Sequence, residues 1–270
     1  MAKLERRAKI AFIGGGAMGE AMIRGILTKK VAVPQDMVVS DVSPVRRELL
    51  NKEYGVRTLA DNRKAIENAD LIVLAVKPQN LRQVAEEIRA PSPEQLVLSI
   101  LAGGTLSKLC QDLNHSSVVR AAPNMPAQIG QGITVWTATT ETNKRQKELA
   151  QTVLGALGKE IYVADEKYLD MVTALGGSGA AYVFLFIEAF IDAGVHIGLP
   201  RSIAQEVVLQ TMIGSTCAVE KMGKHPAELK NMVTSPGGTT TEALLQLEKG
   251  AFRYHLLEAV AAAHAKAQRL

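Results

Sequence analysis

Lys9-Ile-Ala-Phe-Ile-Gly-Gly-Gly-Ala-Met-Gly-Glu-Ala-Met22 is the stretch whose reading decides the fold. Ile10 to Ile13 is a short apolar run of strand type, it leads directly into Gly14-x-Gly16-x-x-Gly19, and a helical pattern follows through Leu27. A strand, a glycine turn and a helix in that order form an anion cradle. Gly14 permits the tight turn, Gly16 lets backbone approach a pyrophosphate, and Gly19 allows close helix–strand packing; the helix start offers unpaired N–H groups at its positive dipole end. Glycines also serve plain turns, but the flanking strand and helix supply the context that marks a dinucleotide site. Ile13, Gly14, Gly15, Gly16, Ala17, Met18 and Gly19 are therefore candidate cofactor-binding residues.

Outward from this turn the chain alternates strand and helix. Met37-Val38-Val39 ends in Ser40-Asp41, and Asp41 lies about 20 residues past Gly19, where an acidic residue receives the ribose hydroxyls of NAD and repels the 2′-phosphate of NADP. Arg46 and Arg47 stand close by and could meet that phosphate, and Asp41 could equally cap the turn before Pro44. NADH and NADPH thus both remain open as cofactors. Asp61-Asn62 opens a short helix, as its cap or as a contact to the adenosine end. Asp70 to Val76 is a near-continuous apolar run, the mark of a strand buried on both faces, and it ends in Lys77-Pro78. Ligands gather beyond the carboxyl ends of such strands, which makes Ala75, Val76, Lys77 and Pro78 crevice residues. Leu96 to Ile100 runs into Ala102-Gly103-Gly104, again glycines between a strand end and a helix start. Val118-Val119-Arg120 leads to the stiff loop Ala122 to Pro126. A strand at 133–137, an amphipathic helix at 143–157 and a strand at 160–163 complete a doubly wound, Rossmann-type sheet.

Beyond about Ala164 strand patterns stop. Helical patterns cover 168–198, 200–222, 226–232, 239–248 and 252–269, with glycines as stops. The chain accordingly divides into residues 1–164, dinucleotide-binding, and 165–270, all helical. Several of these helices are apolar over more surface than so small a region can bury, which calls for self-association with a second subunit.

Composition narrows the function classes. At 270 residues the chain holds one large domain or two ordinary ones, and 47% apolar against 21% charged residues describes a folded protein. The net charge of +4 is spread along the chain and aromatics make up only 4%, which argues against a nucleic-acid partner. The basic start Met1 to Lys9 imitates a signal peptide, but the apolar run after it breaks at three glycines, and the later run Ala180 to Ile191 is core-helix length and carries Glu188. Neither export nor a membrane span is expected, and Cys110 and Cys217, far apart and without metal-ligand spacing, suit a cytoplasmic location with no metal.

The second informative stretch is Ser235-Pro-Gly237-Gly238-Thr239-Thr240-Thr241-Glu242. Hydroxyls and glycines at a helix start form a donor cluster for a small carboxylate, although Thr239-x-x-Glu242 also fits a capping box and Ser-Pro-Gly-Gly a plain turn. Glu188 and Asp192, one helical turn apart, read as a charged edge, and the five histidines form no triad.

The glycine turn, Ala75-Val-Lys-Pro78, Gly176-Gly-Ser-Gly-Ala-Ala-Tyr182, Gly194-Val-x-x-Gly-Leu-Pro-Arg201 and His225-Pro-x-x-Leu-x-x-x-Val-x-Ser-Pro-Gly-Gly-Thr-Thr240 together resemble the pyrroline-5-carboxylate reductase family, over about residues 9–269. The resemblance implies an all-helical C-terminal dimerisation domain and NAD(P)H-dependent reduction of 1-pyrroline-5-carboxylate, a cyclic imino acid, to L-proline. It also implies that Ser235, Gly237, Gly238 and Thr239 hold the substrate carboxylate and Thr240 the ring nitrogen, while Asn62, Ala75 to Pro78 and Ala102-Gly103 touch the cofactor. Gly176 and Ala180 stand where the family commonly has serine and proline. Two rivals share the glycine turn. A β-hydroxyacid dehydrogenase would want a lysine on the long helix, and there is none between Lys167 and Lys221. A non-catalytic nucleotide sensor would have no need of Ser235 to Thr240.

Overall fold

The computed structural model describes residues 8–88 and 90–269. The basic segment 1–7, read above as no export signal, lies outside them. The described chain falls into two compact units, one running to Ser178 and including a C-terminal segment from Ala263, the other Gly179–Ala262.

The first unit is built on eight strands: β1 Ile10–Ile13, β2 Met37–Ser40, β3 Arg57–Leu59, β4 Leu71–Leu74, β5 Leu96–Ser99, β6 Val118–Pro123, β7 Gly132–Ala138 and β8 Gly158–Tyr162. Their order is β3-β2-β1-β4-β5-β6-β7-β8. The first six are mutually parallel, which is the doubly wound order with its switch point between β1 and β4, and ligands bind outside the strand ends there. β7 runs antiparallel to β6. The link between them holds only a short 3₁₀ turn, Met125–Ile129, too little chain for the crossover a parallel partner requires. β3 and the reversal of β7 are absent from the sequence reading, because three residues, Arg57-Thr-Leu59, carry too little alternation to register.

The connecting helices are α1 Ala17–Thr28, α2 Pro44–Tyr54, α3 Asn62–Ile66, α4 Leu81–Glu87, α5 Leu106–Leu113, α6 Lys144–Gly155 and α7 Lys167–Val172. Strand side chains alternate between two cores. Ile10, Phe12, Leu71, Val73, Leu96 and Leu98 pack with Met22, Ile23 and Ile26 of α1 and Leu149, Val153 and Leu154 of α6. Ala11, Ile13, Ile72, Leu74 and Val97 pack on the opposite face with α3, α4 and α5. Each such buried aliphatic or Phe side chain contributes about 1.5–3 kcal/mol relative to exposure, and burial on both faces is what makes these strands read as continuous apolar runs.

After α7 comes a π-helical turn, Thr173–Gly177. The second unit follows with α8 Gly179–His196, α9 Arg201–Met222, α10 Pro226–Met232, α11 Thr239–Lys249 and α12 Phe252–Ala267, the last running on into the C-terminal segment. α8 and α9 approach closely, since a Cβ on Gly194 would lie 2.9 Å from that of Ala204. Their buried cluster is small: Ile191, Ala204 and Val208, flanked by Ile187 and Met212. Phe184, Leu185, Phe190, Val207 and Ile213 are exposed. By length and composition alone the stretch Lys167–His196 could cross a bilayer, which the run Ala180 to Ile191 taken alone is too short to do. Asp192 pairs with Arg201 at 2.7 Å on an exposed edge.

Candidate active site

The register of the sheet brings the predicted cofactor residues to one level. Ile13 lies opposite Ser40 and Leu74, and Leu74 lies opposite Ser99, so the residues that follow, Gly14, Asp41, Ala75 and Ile100, leave the sheet side by side. Backbone bonds continue the ladder one step further: Gly14 N–H donates to Ser40 O at 2.8 Å and Ala75 N–H to Ile13 O at 2.8 Å.

Each glycine of the turn has its own constraint. Gly14 has φ +98°, and a Cβ there would lie 2.6 Å from Ala75 O; a Cβ on Gly19 would lie 2.6 Å from Gly14 O. Beside Gly16 nothing stands within 4 Å of where a Cβ would point. That open space faces the start of α1, which Gly16 caps without any side-chain hydrogen bond, leaving the first-turn N–H groups of Ala17, Met18 and Gly19 without a capping side chain. A dinucleotide pyrophosphate fits this cradle: close packing beneath, open backbone above, and donors pointing outward.

Asp41 follows β2 and its carboxylate is held from both sides, Oδ2 accepting Gly15 N–H and Oδ1 accepting Ser43 N–H, each at 2.8 Å. It therefore shapes the turn before Pro44 and also ties that turn to the glycine loop. Ser40 is buried and donates its hydroxyl to Asn62 Oδ1 at 2.6 Å, while Asn62 Nδ2 donates to Glu87. Asp61, rather than Asn62, caps α3 by accepting the N–H groups of Arg63 and Lys64. Ala75 lies under Gly14 and Gly19. Lys77 is exposed and precedes a 3₁₀ turn, Pro78–Asn80. Ala102 and Gly103, the latter with φ +76°, follow β5 just before Thr105 caps α5.

Two groupings escaped the sequence reading. Glu20 on α1 accepts Tyr54 Oη at 2.7 Å and pairs with Arg46, whose Nε also donates to Gly15 O. Burial raises the Glu20 carboxyl, but the hydrogen bonds from Tyr54 and Arg46 outweigh it and hold it below its ordinary value; burial and the bond to Glu20 push the Tyr54 hydroxyl up. Arg120 in β6, its side chain 4% exposed, pairs with Glu166 at 2.9 Å and Asp170 at 2.7 Å. A charged residue inside an apolar strand was the available signal, since a buried charge requires a partner. Arg120 also borders a cavity at the ends of β5 and β6 that Ala102, Ala122, Pro123, Thr173 and Gly177 line.

In the second unit, Gly238 N–H donates to Ser235 O at 3.1 Å, with Pro236 and then Gly237 at φ +67° between them, the residue pattern of a type II turn. Thr241 Oγ1 donates to Ser235 O at 2.8 Å. A Cβ on Gly238 would fall 2.4 Å from Ser235 Oγ, so any other residue there would displace that hydroxyl from its present position. The alternative reading of Thr239-x-x-Glu242 as a capping box is not realised: Gly238 is the N-cap of α11, no side chain caps it, and Thr239 is already the first helical residue. The orphan N–H groups of that first turn stay available for a ligand, alongside exposed Ser235 and Thr239 and half-buried Thr240.

Strand order and glycine turn define a dinucleotide-binding domain, and the relatives that the chain matches make it an NAD(P)-dependent oxidoreductase. Residues 9–103 match the family described as NADP oxidoreductase, coenzyme F420-dependent, and residues 166–270 match the family described as pyrroline-5-carboxylate reductase dimerisation. The chain is 39% identical to pyrroline-5-carboxylate reductase from Synechocystis sp., over 97% of this chain and 98% of that one. Among solved structures it resembles pyrroline-5-carboxylate reductase from Coxiella burnetii (TM-score 0.89, 34% identity, 98% of each chain). It likewise resembles the pyrroline carboxylate reductase of Plasmodium falciparum with NADP bound (TM-score 0.90, 32% identity, 97% of each chain). The chain belongs to the pyrroline-5-carboxylate reductase family. Its exposed apolar helices lie within the stretch that matches a dimerisation family, which accounts for their lack of internal cover.

Proposed function

We propose that this chain reduces the C=N bond of 1-pyrroline-5-carboxylate to give L-proline, the last step of proline synthesis, in the cytoplasm, with NADPH or NADH as reductant. The observation that carries the reading is the near full-length identity with pyrroline-5-carboxylate reductases. When bound, the nicotinamide supplies the hydride. The cradle formed by Gly14 to Gly19 binds the pyrophosphate, with Asp41 and Asn62 on the adenosine side and Ala75 to Pro78, Ala102 and Gly103 along the crevice. Ser235, Gly237, Gly238 and Thr239 hold the substrate carboxylate at the uncapped start of α11, an arrangement supported by its orphan donors. Thr240 hydrogen-bonds the ring nitrogen and orients the imine carbon. Two copies associate through their helical units as a homodimer or larger assembly.

A protonated imine is already an electrophile, so placement supplies much of the rate and no strong side-chain acid is needed. Cys110, whose thiol burial pushes up, is no rival nucleophile. The test follows loss of reduced-nicotinamide absorbance with 1-pyrroline-5-carboxylate, and identifies the product. Turnover to proline is expected, and Thr240→Ala should cut it strongly while cofactor binding stays near wild type. No turnover with either cofactor, despite nucleotide binding, would overturn the reading in favour of a sensor, and an undiminished Thr240→Ala enzyme would remove Thr240 from the site.

A further inference from the structure

The loop that carries Ala102 and Gly103 from the end of β5 to the start of α5 is seated by a residue far away in sequence. Thr105 caps α5 by accepting Lys108 N–H, but the N–H of Leu106, the first helical residue, donates to Glu166 Oε1 at 2.8 Å. The same oxygen accepts Arg120 Nη1 at 2.9 Å, and Arg120 Nη2 donates to Asp170 Oδ1 at 2.7 Å. One carboxylate thus joins the start of α5, the strand β6 and the start of α7, all within the first unit.

Both contacts have a physical reason. A carboxylate is favoured at the unpaired N–H groups and positive dipole end of α5, and the buried guanidinium of Arg120 requires a counter-charge. Glu166 meets both demands with one oxygen, so a shift of either partner is felt by the other. The pieces it joins are those that enclose the cavity at the ends of β5 and β6: Ala102 lines it from the loop, Ala122 from β6, and Thr173 and Gly177 from the π-helical turn that follows α7. The glycine turn from Gly14 to Gly19 shares none of the bonds to Glu166.

We propose that Glu166 is a positioning residue for hydride transfer. Acting through Leu106 and Arg120, it holds the loop at Ala102-Gly103 against the π-helical turn and so fixes the crevice wall along which the nicotinamide lies. The proposal rests on the reductase reading above, in which Ala102 and Gly103 border the cofactor. A misplacement of about 1 Å at the reacting atoms costs about a hundredfold in rate, whereas the pyrophosphate cradle is untouched. Loss of Glu166 should therefore slow the chemical step and spare nucleotide binding.

Three variants of the whole protein test it: Glu166→Ala, Glu166→Gln and Leu106→Pro. The last deletes only the N–H given to Glu166, at a first helical position where proline is well accommodated, after a Thr105 already extended at φ −69° and ψ 153°; Leu106→Ala controls for the lost side chain. Amide hydrogen exchange without nucleotide is the first readout. Leu106→Pro should speed exchange at 173–177 as well as around Leu106, and Glu166→Gln, whose amide oxygen still accepts both donors, should stay closer to wild type than Glu166→Ala. In turnover of 1-pyrroline-5-carboxylate, Glu166→Ala and Leu106→Pro should each lower kcat by about ten- to a hundredfold. KM for the imine and Kd for NADPH should stay within about twofold, the isotope effect with 4-deuterated NADPH should rise, and the double variant should be no slower than Glu166→Ala alone. Should Glu166→Ala not fold, Leu106→Pro, which keeps the Arg120 ion pair, carries the test. Exchange confined to the surroundings of Leu106, an unchanged kcat, or kcat, KM and Kd worsening in step would leave Glu166 a brace of the fold, and each overturns the proposal. A wild-type protein that binds NADPH without reducing the imine would fail the reductase reading instead, while the exchange result still decides whether the two segments are coupled.

Discussion

Gly16 and Gly14 are two residues apart, and alanine at each should have opposite consequences. At Gly14 the backbone has φ +98°, and an added Cβ would sit 2.6 Å from Ala75 O. A non-glycine residue held in such a conformation costs about 1–3 kcal/mol, and forcing atoms into a packed site adds about 1–3 kcal/mol more. For a protein of this size each kcal/mol lowers Tm by about 2–4 °C, so Gly14→Ala should melt about 4–24 °C early. Gly16 has φ −65° and ψ −174°, which alanine adopts freely, and nothing lies within 4 Å of the new methyl. Replacing a glycine N-cap by alanine costs about 0.5–1 kcal/mol, and the stiffer unfolded chain returns about 0.4–1 kcal/mol, leaving stability close to wild type. The methyl instead occupies the space proposed for the pyrophosphate. Displacing it from even one helix N–H loses about 1.5–3 kcal/mol, or about ten- to a hundredfold in affinity. Scanning calorimetry without nucleotide and fluorescence titration with NADPH separate the two effects. Gly16→Ala binding NADPH within about twofold of wild type, or melting as early as Gly14→Ala, would refute the assignment of roles.

Two further outcomes can be measured directly. His115 is buried, its Nε2 is 2.9 Å from Gln95 O, and burial holds the imidazole below its ordinary value of 6.5. The unfolded chain therefore takes up the proton first, so stability is full above 6.5 and falls as pH drops below it towards the depressed native value. Urea midpoints between neutral and mildly acidic pH should show this loss, and His115→Gln should flatten it; an unchanged slope would clear His115. Leu185 on α8 is 66% exposed in the single chain. Leu185→Glu should weaken self-association in sedimentation velocity, lower the melting temperature and make it less dependent on protein concentration, whereas an unaltered assembly would place the contact on another face.

Local signals were legible and long-range ones were not. The glycine turn, the buried runs of β1, β4 and β5, and the helix stops are each written within a dozen neighbouring residues, and they predicted the doubly wound sheet and the helical C-terminal region. The break in composition at Ala164 precedes the end of the first compact unit, at Ser178, because α7 is tied back to the sheet by Arg120, which is far away in sequence. Spacing could show that Asp41 stands at the right distance from Gly19, but not that its two oxygens are taken by Gly15 and Ser43. Spacing also suggested a capping box at Thr239, whereas the structure starts α11 at that residue because the turn from Ser235 to Gly238 supplies its own closure.

A reaction that delivers a hydride to an already electrophilic carbon places its demands on position, and position is where the chain has spent its charged residues. Arg120, between Glu166 and Asp170, gains little net stability from its burial, because two ion pairs must first offset desolvation. What it fixes is the start of the helix whose next turn, at Thr173 and Gly177, borders the cavity beside Ala102. Glu20 and Arg46 do the same for the glycine loop. The proposed ligand-facing surface is left to backbone N–H groups, glycines and hydroxyls, none of which announces itself as a titratable catalyst. That division accounts for the lack of a histidine triad among the described residues, and the proposed binding surfaces are instead the two glycine-rich helix starts, one in each unit.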